Sequence, residues 1–144
     1  MQALISLKNN NVNISFNDEL PAKIYFQLEY FNLKKKNIDE NNPHNHKYHL
    51  IKGNSESEEV LKQFKELNIK IDHLFIDGDH SAHGVKRDFY NYLPFMNKGG
   101  LILFDNYNDP RWTEVKPATD EIIEECSEIE LHSKGGHLCV VRVI

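Results

Sequence analysis

Two short apolar runs, Leu74-Phe75-Ile76 and Leu101-Ile102-Leu103-Phe104, each stop at an aspartate, Asp77 and Asp105, and this pairing restricts the fold more than any other feature of the chain. The runs are too short for helices and lack the polar alternation of a half-exposed strand. Gly78 bounds the first and Gly99-Gly100 the second, so both read as buried parallel strands. Between them Val85, Phe89 and Tyr92-Leu93 recur at helical spacing, with Ser81 as N-cap and Pro94 beyond the end. A right-handed strand-helix-strand crossover makes the strands parallel and brings both aspartates to one edge of a sheet. Open α/β sheets bind their ligands at that edge. Neighbouring strands lie about 4.8 Å apart, so adjacent strands would let Asp77 and Asp105 share one cation.

The rest of the chain extends the alternation. Residues 1–16 hold two strand-like runs, Ala3–Leu7 and Val12–Phe16, which form either a hairpin turning at Asn9-Asn10-Asn11 or one strand with a ragged lead-in. A helix follows, capped by Asn17 or Asp18, with Ile24, Leu28 and Phe31 on one face and Lys34-Lys35-Lys36 at its end. The polar stretch 37–46 reads as an exposed loop. Tyr48–Ile51 reads as a strand left through the turn Gly53-Asn54-Ser55, and the next helix opens on Ser55 and Glu58 in capping-box spacing. Pro117 opens a last helix, and Lys134-Gly135-Gly136 divides the C-terminal segment into an antiparallel hairpin. The expectation is one α/β domain over residues 1–144.

Charge and hydropathy narrow the partners. With 22 acidic and 17 basic side chains, a net charge of -5 and no basic face, the sequence points away from nucleic acid. No apolar run approaches the ~18 residues of a membrane span, and the N-terminus lacks the layout of a signal peptide. The chain reads as cytoplasmic, with no membrane partner. Cys126 and Cys139 read as free thiols rather than a disulfide. His44, His46 and His49 lie in an Asn- and Pro-rich stretch without a carboxylate cluster, so zinc is not expected there.

The stretch FIDGDHSAHGVKRDF, followed by LPFMNKGGLILFDN, resembles the fourth and fifth strands of class I S-adenosylmethionine-dependent methyltransferases, in the branch marked by an Asp-Gly-Asp-His-Ser strand end. The resemblance implies a Rossmann-like sheet, mostly parallel, closed by the C-terminal antiparallel hairpin. A narrower likeness is to the metal-dependent catechol and caffeoyl-coenzyme A O-methyltransferases. In those, an aspartate ends the fourth strand, a basic residue follows three positions later, and an Asp-Asn pair ends the fifth. Asp77, His80 and Asp105-Asn106 match in turn. By that resemblance Asp77, Asp105 and Asn106 would hold Mg2+, and His80 would be the general base acting on a small-molecule or sugar hydroxyl. For S-adenosylmethionine, the resemblance implies Gly53, Asn54 and Ser55 at the adenine, Asp18 at the ribose, and Asp77 within the same site. The family's glycine-rich first turn has no counterpart, since no glycine precedes Gly53. The expectation is therefore an N-terminally truncated fold with three alternatives: the chain is a fragment, a homodimer mate or partner chain completes the cofactor site, or the fold persists without methyl transfer.

Other readings stand beside this one. Asp77 and Asp105 could cap the turns that follow them, Asp79 could cap the helix, and Trp112 could line a pocket or cover the sheet edge. At the level of function, the alternative to an O-methyltransferase is an inactive methyltransferase-like remnant serving as a binding or assembly module. A hydrolase built on Asp77-Gly78-Asp79-His80 is disfavoured because no second His/Asp cluster completes a two-metal site.

Overall fold

The computed structural model describes the backbone of residues 2–7, 11–16 and 48–144, with side chains from Ile51 onward except Lys52. In chain order the described elements are β1 (Gln2–Leu7), β2 (Asn11–Phe16), β3 (Tyr48–Lys52), α1 (Glu58–Glu66), β4 (Ile71–Asp77), α2 (Ala82–Tyr92), β5 (Met96–Phe104), α3 (Val115–Glu125), β6 (Ile129–Gly135) and β7 (Leu138–Val143). The helix expected between Asn17 and Lys36 lies outside the described residues, as does Asp18.

The strands form one sheet in the order β3-β2-β1-β4-β5-β7-β6. β4 and β5 are parallel neighbours, as the central crossover requires, with Ile76 opposite Phe104. Of the two N-terminal alternatives the hairpin is the one that forms: β1 pairs antiparallel with β2, and it also pairs antiparallel with β4, Gln2 standing opposite Asp77. β2 then runs parallel to β3. At the other end β7 is antiparallel to both β5 and β6, giving the expected closing hairpin. Its turn is made at Gly136, whose φ of +56° suits a residue without a Cβ. The architecture is the expected Rossmann-like α/β sheet closed by an antiparallel hairpin. The sheet is mixed, because β1 runs against β2 and β4. Following these directions across the sheet, β2, β3, β4 and β5 all deliver their carboxyl ends to the same edge.

Local sequence explains most boundaries. The Ser81 hydroxyl accepts from the Gly84 amide and so caps α2, as expected. The cap of α1 is Ser57 and not Ser55: Ser57 Oγ accepts from the Val60 amide, while Ser55 is buried two residues upstream. β5 also begins earlier than its apolar run, at Met96, because Asn97 reaches across to Asp72 (Nδ2 to Oδ1, 2.9 Å) and ties the polar lead-in to β4. The core joins Val60 and Phe64 of α1, Val85, Phe89 and Tyr92 of α2, and Val115 and Ile122 of α3 to Leu74, Ile76, Ile102 and Phe104 of the central strands. Phe64 meets Tyr92 edge-on with ring centroids 5.4 Å apart, and Phe89 lies 5.9 Å from Phe104. Both cysteines are free. No helix among the described residues is long and apolar enough to cross a membrane.

Candidate active site

The ends of β4 and β5 place three of the expected residues in contact. His80 Nε2 lies 2.7 Å from Asn106 Oδ1 and 3.5 Å from Asp77 Oδ1. The Asp105 amide donates to the Ile76 carbonyl at 3.0 Å, which fixes the end of β5 against that of β4. Asn106 turns the chain out of the sheet with φ +57°, a left-handed conformation that asparagine tolerates better than most residues. Asp79 does not cap α2. Its Oδ1 accepts from the Ser81 amide, forming a local turn that hands the cap to Ser81.

The chemistry of this edge is that of crowded carboxylate and amide oxygens. Burial first, and then the Asp105 carboxylate, push the Asp77 carboxyl above its ordinary value, against the opposing pull of His80. Among the described residues the Asp77 carboxylate accepts no backbone amide, which argues against a capping role. The oxygen-only set of Asp77, Asp105 and Asn106 fits a hard divalent cation, whose charge would reverse the destabilisation of the Asp77 anion. The amide oxygen of Asn106 is needed for this. Among the described residues no group of three His, Cys, Asp or Glu side chains is placed to hold a metal by itself.

Asn106 Oδ1 can only accept, so in this arrangement the shared hydrogen sits on His80 Nε2. His80 Nδ1 is buried and has no hydrogen-bond partner among the described residues. The indole of Trp112 stacks on the imidazole, ring centroids 4.3 Å apart and planes 16° from parallel. Trp112 nonetheless remains 41% exposed, so it both covers His80 and faces solvent. It belongs to the loop after β5, which folds back over the start of α2: Glu114 Oε2 accepts from the Ala82 amide at 2.9 Å. Asp79, His80, Ser81 and residues 111–114 thereby enclose a cleft of about 190 Å3.

The same loop is pinned from both sides. Arg111 donates to both oxygens of the buried Asp109 carboxylate, which holds that acid well below its usual range. Further on, Tyr107 donates to Asp120 Oδ1 at 2.6 Å, and Lys116 and Lys134 converge on the same carboxylate. Against the opposing push of burial, these partners keep Asp120 low. The sequence leaves Trp112 open and gives no signal for Arg111 or Glu114, whose partners lie across the fold or within a turn that has no periodic pattern.

Gly53, Asn54 and Ser55 leave β3 at the same edge. Asn54 organises this turn: its carbonyl accepts from the Ser57 amide and its Oδ1 from the Glu56 amide, both at 2.9 Å.

Residues 6–107 match a family described as a methyltransferase domain. An uncharacterized protein of Acanthamoeba polyphaga mimivirus is 41% identical over 92 residues, a stretch that makes up 63% of this chain and 42% of that protein. An O-methyltransferase from Bacillus cereus, solved in complex with SAH, superposes with a TM-score of 0.61 at 18% identity, covering 90% of this chain and 61% of that one. The MycE methyltransferase of the mycinamycin pathway, solved with Mg, SAH and mycinamycin VI, gives a TM-score of 0.53 at 17% identity over 67% of this chain and 32% of that one. The structural likenesses are ones of fold, and the chain spans less than two thirds of each of these proteins.

Proposed function

The chain belongs to the methyltransferase domain family, and on that premise we propose that it takes part in Mg2+-assisted transfer of a methyl group from S-adenosylmethionine to a hydroxyl of a small molecule or sugar. The observation that carries this reading is the meeting of Asp77, His80 and Asn106 where two parallel strands end, beside a cleft walled by an aromatic ring.

Each residue has a part. Asp77, Asp105 and Asn106 would hold the cation, which when bound supplies positive charge that lowers the pKa of an acceptor hydroxyl. Gly53, Asn54, Ser55, Asp77 and Asp18 would bind S-adenosylmethionine, which supplies an electrophilic methyl group on a sulfonium. His80 takes the acceptor's proton in its other tautomer, with hydrogen on Nδ1 and the lone pair on Nε2, once Asn106 Oδ1 no longer accepts from Nε2. Trp112 holds the imidazole ring in place and screens it from water on one face. An acceptor enters from the cleft beside His80, Arg111 and Trp112.

The test is calorimetric titration of the purified chain with S-adenosylmethionine, with and without MgCl2, paired with thermal melts. Micromolar binding is expected, and cofactor at a hundredfold excess over Kd should stabilise the fold by about 2.7 kcal/mol. A folded chain that shows neither heat nor a melting shift would sink the reading that this chain binds the cofactor by itself, and leave the binding-module alternative or half of an enzyme completed by a partner chain.

A further inference from the structure

Of the three residues assigned to the cation, Asn106 alone has a positive φ, and the chain is fastened on each side of it. Before it, the Asp105 amide donates to the Ile76 carbonyl of β4. After it, the Tyr107 amide donates to the His137 carbonyl at 2.9 Å, in the turn between β6 and β7. The Asp109 amide then donates back to the Asn106 carbonyl at 3.0 Å and closes the turn. A left-handed residue other than glycine persists only where its surroundings over-determine it. Here β4 fixes one side and the C-terminal hairpin the other.

The Tyr107 side chain adds a second hold. The residue is buried, yet its hydroxyl has an ionic partner: it donates to Asp120 Oδ1 of α3 at 2.6 Å. Lys134, near the end of β6, donates to the same oxygen at 2.8 Å. Lys116 donates to Asp120 Oδ2 and also reaches the phenol oxygen at 3.3 Å. Both ammonium groups lie over the phenol ring, 5.1 and 5.2 Å from its centroid. Phenylalanine would fill the same space, so apolar packing does not account for the hydroxyl. A charge-assisted hydrogen bond adds direction as well as strength, and this one ties a single side chain to α3 and to β6 at once. Because Tyr107 follows Asn106 directly, whatever fixes the phenol also fixes the backbone next to the ligand.

We infer that Tyr107 is a positioning residue: its hydroxyl, anchored on Asp120, Lys116 and Lys134, holds Asn106 in its left-handed conformation and so aims Asn106 Oδ1 at His80 Nε2 and at the cation. This role rests on reading Asn106 as a cation ligand. It makes β6, through Lys134, and the turn after it, through His137, supports of the site. A ligand oxygen displaced by a fraction of an ångström weakens coordination without emptying the core, because the ring of a Tyr107→Phe variant occupies the same space.

Tyr107→Phe, Asp120→Asn and the double variant test this in the full chain. The measurements are urea unfolding, Mg2+ affinity by calorimetry, and a two-bond proton–nitrogen NMR spectrum of the metal-free protein, taken above the ordinary titration range of histidine. That spectrum shows which ring nitrogen carries hydrogen, and His80→Gln identifies the His80 signals. In wild type the hydrogen is on Nε2, where Asn106 Oδ1 accepts it. Expected for Tyr107→Phe is about tenfold weaker Mg2+ binding together with a mixture of the Nε2–H and Nδ1–H forms of His80. Asp120→Asn should act in the same direction, and the double variant should bind Mg2+ within about twofold of the weaker single one, since both remove the same anchor. A hydroxyl that serves stability alone would shift the urea midpoint and leave the rest as in wild type. Wild-type Mg2+ affinity in Tyr107→Phe, or an unchanged His80 spectrum, overturns the inference. Should wild type itself bind no Mg2+, the cation reading falls, and the His80 spectrum decides whether Tyr107 positions Asn106: the mixture supports that role and an unchanged Nε2–H form removes it.

Discussion

Replacing Asp77 with alanine is expected to weaken Mg2+ binding by about a hundredfold or more, which is roughly 3 kcal/mol, and to abolish methyl transfer with it. The same substitution should slightly stabilise the cation-free protein. Both outcomes follow from one fact: burial and the Asp105 carboxylate already disfavour the Asp77 anion in the folded chain. Removing that anion relieves the apo state, whereas a divalent cation at this edge depends on its charge. Calorimetric titration with MgCl2 and urea unfolding, on wild type and Asp77→Ala side by side, check the two halves. If Mg2+ affinity is unchanged, the shared cation site is wrong; if the apo protein is instead destabilised, Asp77 serves the turn after β4.

Asp88→Asn should raise stability at pH 7.5 by roughly 3 kcal/mol and leave it nearly unchanged at pH 4. Folding raises the Asp88 carboxyl from 3.8 to about 6, so the native state binds this proton more tightly than the unfolded chain does. Its favourable contribution is therefore complete below about pH 3.8 and is lost as the pH rises through about 6. The gap, at about 1.4 kcal/mol per pH unit, sets the magnitude. With the side chain buried, solvent screening does little to reduce it. Asparagine carries no charge to bury and escapes the penalty wherever the acid would ionise. Urea midpoints at the two pH values test this directly. Equal gains at both would show that packing, and not ionisation, separates the variants.

How much of this could be read from the chain differs from element to element. The central β4-α2-β5 unit was legible because its signals are local: apolar runs too short for helices, a serine cap at Ser81, and a 3.6-residue stripe. The crossover rule brought Asp77 and Asp105 to one sheet edge, whereas His80 and Asn106 were singled out only by the resemblance to metal-dependent O-methyltransferases. The direction of β1 was not legible, because strand pairing is settled by long-range partners and a run such as Ala3–Leu7 fits either orientation. Ser55 and Ser57 compete as caps within three residues, and the burial of Ser55 under Tyr92 decides between them. Asp88 was passed over because a pattern search follows Val85, Phe89 and Tyr92 and treats the polar residue among them as an interruption. The stacking of Trp112 on His80 joins residues far apart in sequence, and no local pattern encodes it.

That stack has an optical meaning. Trp112 is the only tryptophan in the chain, so fluorescence excited at the red edge of indole absorption comes from one ring, and that ring lies 4.3 Å from the imidazole of His80. An imidazolium so near accepts an electron from excited indole far more readily than a neutral imidazole does, so protonation of His80 dims the emission. The protein thus carries a built-in, label-free reporter of charge at the one ring proposed to move a proton.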